Sequence, residues 1–320
     1  MHRFEAQAET RMAEAEAVVV GAINHDTIYL VDHFPADGET ILGEAIVADG
    51  GKGANQAVVL AQLGVSTALV GKVGDDQVGT GLIERLQAAG VSTGHVRKVP
   101  GTVSGRGCVW STQAGGKHIV IAPGANLSLA EAAIHSAKDA IARASVLLLQ
   151  LEVPLSSVET AARLARDNGT KVVVNLTPIS QEGERFLGLA DFVIVNRHEC
   201  RQLVEYSRLG GKDLNEAAAR LAAHWNNTLI VTLGSEGALV VTRHGWTPVE
   251  PIPCRLVDST GAGDAFCGAF VAALVRGFDA ASAAKVAAIA GAVCAQYPGA
   301  RIPEDGRREM VAEIEKRLYS

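Results

Sequence analysis

Aromatic side chains are scarce, at 4% of 320 residues, while 48% of the chain is hydrophobic. The core is therefore aliphatic, and the length suits one large α/β domain or two smaller ones. Basic excess is missing as well: 29 Lys and Arg face 35 Asp and Glu, a net charge of -6 that gives no general attraction to nucleic acid or to an anionic membrane. Five cysteines (Cys108, Cys200, Cys254, Cys267, Cys294) lie scattered with no CxxC pair, which excludes a disulfide framework and a zinc-ribbon site and fits a reducing cytoplasm. No run reaches the roughly 18 apolar residues needed to span a bilayer. The first residues, MHRFEAQAETRMAEA, have no apolar core of the secretion-signal kind and read as an N-terminal tail over 1–15. The nucleotide fingerprints GxGxxG and GxxxxGK[ST] are absent, the first of them from the end of the first strand, where a nicotinamide-dependent dehydrogenase would carry it.

What is present is alternation. Short apolar runs at 17–23, 67–73, 145–151, 171–176, 192–196 and 228–233 predict buried parallel strands. Helical patterns over 53–63, 77–89, 155–167 and 213–225 fall between them, which predicts an α/β fold with a doubly wound, mostly parallel sheet flanked by helices. Two segments, 26–50 and 101–122, break the rhythm with β-branched residues and turns. They are expected to pair as a small β-sheet lid on one unit spanning 16–320.

Chemistry-bearing residues gather where such runs end. In DSTGAGDAF (258–266), Asp264 follows Gly261, Ala262 and Gly263 at the start of an apolar helix, a position whose amides attract anions. An acid there either caps the helix or acts on something bound beside the anion. GGKGANQA (50–57) is a tight turn entering a helix, where Gly51 and Asn55 either shape the turn or touch a polar ligand. Asn24 and Asp26 follow the first strand, at the sheet edge that binds ligands in open α/β folds, and serve either as turn-formers or as ligand contacts. Glu152 ends SVLLLQLE and faces either solvent or sugar-like hydroxyls. Asn196 and Glu199 in NRHE have the spacing of a capping box; the other reading puts Glu199 beside hydrated Mg2+. TLGSEG (232–237) is a strand followed by a glycine turn, either a plain hairpin or a bed for a nucleotide.

Taken together and in order, NHD, FPADGET, GGKGANQA, LEVP, NRHE, TLGSEG and DSTGAGDAF resemble the ribokinase subgroup of the PfkB carbohydrate kinase family, from about residue 16 to 303. The resemblance implies an ATP-dependent sugar kinase that phosphorylates the 5-hydroxyl of D-ribose, with Asp264 as general base and the amides of Gly261, Ala262 and Gly263 around the transferred phosphoryl group. It also implies that Asn24, Asp26, Gly51, Lys52, Asn55 and Glu152 bind the sugar, with Gly107 and Val109 against it from the lid. Asn196, Glu199, Thr232, Gly234, Ser235, Gly237 and Gly263 would face Mg-ATP, Glu199 reaching Mg2+ through water. An activating K+ would take oxygens from Asp258, Thr260 and Ala300, and two copies would form a homodimer through the lid.

Three positions depart from the family's usual pattern: NLTPIS at 175–180, Arg197 inside the Asn-x-x-Glu segment, and GARIP at 299–303, which lacks a frequent serine. The other readings are a PfkB-family kinase for another pentose, a ketohexose or a nucleoside, and a sugar-binding regulator without catalysis.

Overall fold

The computed structural model describes residues 15–112 and 116–319. Of the expected N-terminal tail, residues 1–14 lie outside this range, as do 113–115 within the second lid segment. The strands in chain order are β1 (Ala17–Val20), β2 (Asn24–Val31), β3 (Glu44–Gly50), β4 (Thr67–Gly74), β5 (Ser92–Val99), β6 (Gly105–Thr112), β7 (Lys117–Ala122), β8 (Val146–Gln150), β9 (Lys171–Asn175), β10 (Phe192–Asn196), β11 (Thr228–Thr232), β12 (Ala238–Thr242) and β13 (Gly245–Val249). A nine-stranded sheet runs β13-β12-β11-β10-β9-β8-β1-β4-β5, parallel from β11 through to β5 and antiparallel at the β12 and β13 end. Both faces are covered. Val19 packs with the helices Lys52–Gln62, Ala262–Val275 and Ala280–Cys294, while Val18 and Val20 pack with Leu155–Asp167 and Leu214–Trp225 on the other side. Alternate side chains of one strand thus feed two aliphatic cores, which is why these strands read as unbroken apolar runs.

From β1 the chain first builds toward β4 and β5 and later returns on the other side as β8, so strand order reverses between β1 and β8. In open α/β sheets the crevice beyond that switch point holds ligands. The sheet strand β1 also ends earlier than its apolar run. A Cβ on Gly21 would overlap Gln150 Oε1 and lie 2.8 Å from Gly53 Cα. The chain leaves the sheet there to let the helix Lys52–Gln62 dock tightly.

A second sheet, β3-β2-β6-β7, joins the two segments that lacked helical rhythm: β2 pairs antiparallel with β3 and parallel with β6, and β6 antiparallel with β7. Asn24 and Asp26 therefore sit on a strand, not in a turn. Their i, i+2 spacing puts both side chains on one face of it.

The helix Ala262–Val275 is buried from Asp264 through Leu274, as expected of a helix apolar all round. A Cβ on Gly268 would lie 2.8 Å from Val59 Cβ and 2.9 Å from Gln56 O. Glycine lets this helix press on the helix Lys52–Gln62, and the two N-termini meet at one edge.

Candidate active site

That meeting joins the two glycine-rich stretches through side chains. Asn55 Nδ2 donates to Asp264 Oδ2 at 3.0 Å and Gln56 Nε2 donates to Asp264 Oδ1 at 2.9 Å. Gln56 is itself fixed: Nε2 also donates to Asn175 Oδ1 (3.1 Å), and Gln150 Nε2 donates to Gln56 Oε1 (2.6 Å). Asp264, a residue 8% exposed, has each carboxylate oxygen held by a side-chain amide. Gly261, at φ 77, caps the helix and rests on Ala300, whereas a Cβ on Gly263 would meet nothing within 4 Å. Open space thus lies beside the helix's first turn, whose amides lack intrahelical acceptors. Ala262 N–H reaches back to Ser259 O at 3.3 Å, so Gly263 is the more available donor.

Gly51, at φ 85, caps the other helix, and a Cβ there would lie 2.6 Å from Ala22 O. Lys52 N donates to Glu152 Oε2 at 3.0 Å; Glu152 therefore faces the helix start rather than solvent. On the small sheet, Asn24 Oδ1 accepts from Asn126 Nδ2 (2.8 Å), and Asn126 Oδ1 accepts from Ile23 N (2.9 Å). A Cβ on Gly50 or Gly107 would overlap the Asp26 carboxylate, and one on Gly105 would overlap Asn24 Oδ1. These glycines leave room for the two polar side chains to lie across the sheet. Val109 is buried beside Ile28, its register partner, as part of the same layer.

Toward β11 the arrangement changes. Asn196 and Thr232 are register partners at the carboxyl ends of β10 and β11. Asn196 and Glu199 form a complete capping box: Asn196 Oδ1 accepts from Glu199 N (2.9 Å), and Glu199 Oε2 accepts from Asn196 N (2.8 Å). Glu199 Oε1 accepts from Thr177 Oγ1 at 2.7 Å, one of the departing NLTPIS residues. The carboxylate is therefore bound in place, and what it offers a hydrated cation is its charge together with its remaining lone pairs. Gly234 (φ 64), Ser235 and Gly237 (φ 86) form the turn between β11 and the antiparallel β12, a hairpin. Arg197, the other departure, pairs with Glu236 at 2.8 Å, clipping this turn to the start of the helix Arg197–Ser207.

Behind the Gly261 loop, Asp258 Oδ1 accepts from Thr260 N (2.9 Å) and Oγ1 (2.7 Å), and Oδ2 accepts from Gly299 N (3.0 Å). Asp258 and Thr260 thus lie against the 299–300 segment, the carboxylate serving first to tie the two segments together. Among the described residues no group of three or more His, Cys, Asp or Glu could hold a metal.

Charges in the crevice shift one another. Burial raises the Asp26 carboxyl above its ordinary value; the Gly107 N–H and the charges of His25 and Arg301 oppose this, and Asp264 adds to it. Burial likewise raises Glu152 against the opposing Lys52 charge. For Lys52 burial works downward, but the carboxylates of Asp264 and Glu152 outweigh it and hold the ammonium above its usual range. Only when ionised do Asp26 and Glu152 accept hydrogen bonds at both oxygens and offer a charge to Lys52. The acid limb of kcat/KM for a hydroxylated ligand, which reports the free enzyme, is therefore expected above the ordinary values of 3.8 and 4.5. A pH–rate series with its acid limb at about 4 or below, the range of unperturbed carboxyls, would contradict these shifts.

Gln56, Gln150, Asn175, Asn126 and Arg301 escaped the sequence reading. Gln150 and Asn175 carried one signal, polarity at the ends of apolar runs, since a buried polar residue implies a partner.

A carboxylate and a helix-start amide cluster meet where strand order reverses, within charge range of Asp26, Lys52 and Glu152, an arrangement suited to a phosphoryl-transfer enzyme for a hydroxylated small molecule. A pfkB family carbohydrate kinase pattern matches residues 14–306, and the chain belongs to that family. It is 32% identical over 298 residues to the ribokinase of Haemophilus influenzae, spanning 93% of this chain and 97% of that one. It is 33% identical over 276 residues to the deoxyribokinase of Salmonella typhi (86% and 90% covered). The structure of Arabidopsis thaliana ribokinase complexed with ribose and ATP superimposes with a TM-score of 0.79 at 28% identity, covering 93% of this chain and 99% of the other.

Proposed function

We propose that this sugar kinase transfers the γ-phosphoryl group of ATP to the 5-hydroxyl of D-ribose, giving ribose 5-phosphate and ADP. The observation that carries the reading is the junction of Asn55, Gln56 and Asp264, an acid at a helix start within charge range of Asp26, Lys52 and Glu152, which with Asn24 would bind the sugar. Asp264 takes the hydroxyl proton as that oxygen bonds to the γ-phosphorus. The bond from the γ-phosphorus to its bridging oxygen breaks, ADP leaves with the electron pair, and the helix-start amides, Gly263 foremost, hold the charge. Asn196, Thr232 and the 234–237 turn bind the nucleotide. Mg2+, carried in with its own waters, would neutralise phosphate charge, and Glu199 fits it through water only.

The similarity to a ribokinase complexed with ribose and ATP supports this acceptor. The retained acid and amide cluster speak against a non-catalytic regulator. The test is ADP release with Mg-ATP across ribose, deoxyribose, fructose, xylulose and adenosine, with potassium and sodium arms. Ribose is expected to give the highest kcat/KM, faster with potassium held by Asp258, Thr260 and Ala300. A higher value for deoxyribose or adenosine would reassign the acceptor, no release at all would favour the regulator, and equal rates in the two salts would remove the potassium site. A reducing cytoplasm suits the five free thiols, and no helix among the described residues is long and apolar enough to cross a membrane. The small sheet exposes Val47, Ile119 and Val120, which supports the homodimer through this lid. A sedimentation mass of one 33.3 kDa chain at every concentration would exclude it.

A further inference from the structure

Arg301 lies in the departing GARIP segment, one residue beyond the Ala300 backbone on which Gly261 rests. Its guanidinium reaches into the acceptor side of the crevice: Nε donates to Asn55 Oδ1 (3.2 Å) and Nη1 to Asp49 Oδ2 (2.7 Å). Asn55 thus holds Asp264 with one end of its amide and Arg301 with the other. Asp49 needs no help from Arg301, since Arg85 already binds it through Nε at 2.8 and 2.9 Å. Nη2 of Arg301 is buried and has no hydrogen-bond partner among the described residues. Asp26 Oδ1 is buried and unpartnered in the same way, and the two side chains feel each other's charge.

An unmade donor and an unmade acceptor, both buried, are costly to leave empty. An anionic substituent would satisfy Arg301 but would meet the carboxylates of Asp26, Asp264 and Glu152. A neutral hydroxyl satisfies both, accepting from the guanidinium and donating to the carboxylate. We propose that Arg301 is an acceptor-specificity residue, its Nη2 donating to the same sugar hydroxyl that donates to Asp26 Oδ1. The inference deepens the sugar-kinase reading and rests on it for the identity of the ligand.

The test compares wild type with Arg301→Met, Arg301→Lys and Asp49→Asn on ribose and its 2-deoxy and 3-deoxy analogues, by turnover and by calorimetric binding. A hydrogen bond to a charged donor corresponds to about 10- to 100-fold in affinity. Arg301→Met is expected to raise KM and Kd for ribose by that factor, with KM for ATP unchanged. Wild type should discriminate against the one analogue that lacks the contacted hydroxyl, and Arg301→Met should lose that discrimination. Arg301→Lys keeps the charge but has no second terminal nitrogen, so it should behave like Arg301→Met. Asp49→Asn removes the ion pair without removing the donor and should discriminate as wild type does.

Equal losses on all three sugars, or a parallel rise in KM for ATP, would make Arg301 a brace for the 299–303 segment and overturn the inference. So would ribose affinity in Arg301→Met within twofold of wild type. A wild type that binds ribose without phosphorylating it would sink the kinase reading while the binding comparison still decided Arg301. A wild type that binds none of the sugars would sink both.

Discussion

Asp264→Asn is expected to fold and to lose about 10²- to 10⁴-fold in turnover, the usual contribution of a general base. The geometry explains why the loss is chemical rather than structural. Both carboxylate oxygens accept from fixed amides, Asn55 and Gln56. The replacement amide keeps one of these bonds and turns its NH2 toward the other donor, a cost of about 1–2 kcal/mol within a large buried core. Sugar and ATP affinities should stay close to wild type because the pocket residues are untouched. Steady-state assays alongside thermal melts decide it: a wild-type rate in well-folded protein would remove Asp264 from the chemistry.

Gly261→Ala should produce the second largest effect. At φ 77 an alanine is strained by about 1–2 kcal/mol, and its Cβ would overlap Ala300 O. Either the loop or the 299–301 segment must shift, misplacing the helix-start amides, and losing one such donor costs about 10²- to 10³-fold in rate. Turnover should fall by that factor together with the melting temperature. Gly263→Ala is the matched control, because a Cβ there meets nothing within 4 Å inside the protein. It should leave the melting temperature unchanged or higher, helix propensity favouring alanine by about 1 kcal/mol. Any fall in its turnover would then come from intrusion on the bound phosphate. If Gly261→Ala keeps the wild-type rate, the amide cluster does not serve the reaction.

Six of the parallel strands were legible because they are buried on both faces and carry an uninterrupted apolar run, as in β1 and β8; the parallel edge strand β5, exposed along much of its length, has no such run and was missed. The antiparallel end was harder. In β13, GWTPV is exposed at three successive residues, Trp246, Thr247 and Pro248, and nothing in its pattern separates it from a loop. The small sheet was visible as a break in rhythm, but Asn24 and Asp26 looked like turn residues. What allows them on a strand is the glycine opposite each, Gly50, Gly105 or Gly107, supplied by residues distant in the chain. The same holds within the site. Gln56 sits inside GGKGANQA, yet its bond to Asp264 depends on the close approach of two helices at Gly268, and Arg301 reaches Asn55 from near the end of the chain. Motif spacing marks which residues carry chemistry; the partners that orient them depend on packing across the fold.

The most direct measurement is a crystal structure of the protein with ribose, MgADP and aluminium fluoride, which mimics the phosphoryl group in flight. The metal fluoride is expected between the ribose 5-oxygen and the terminal ADP oxygen, within hydrogen-bond reach of the Gly263 N–H, with Asp264 on the 5-oxygen. A fluoride group bound away from the Ala262–Val275 helix start, or a different ribose oxygen facing it, would contradict transfer at Asp264.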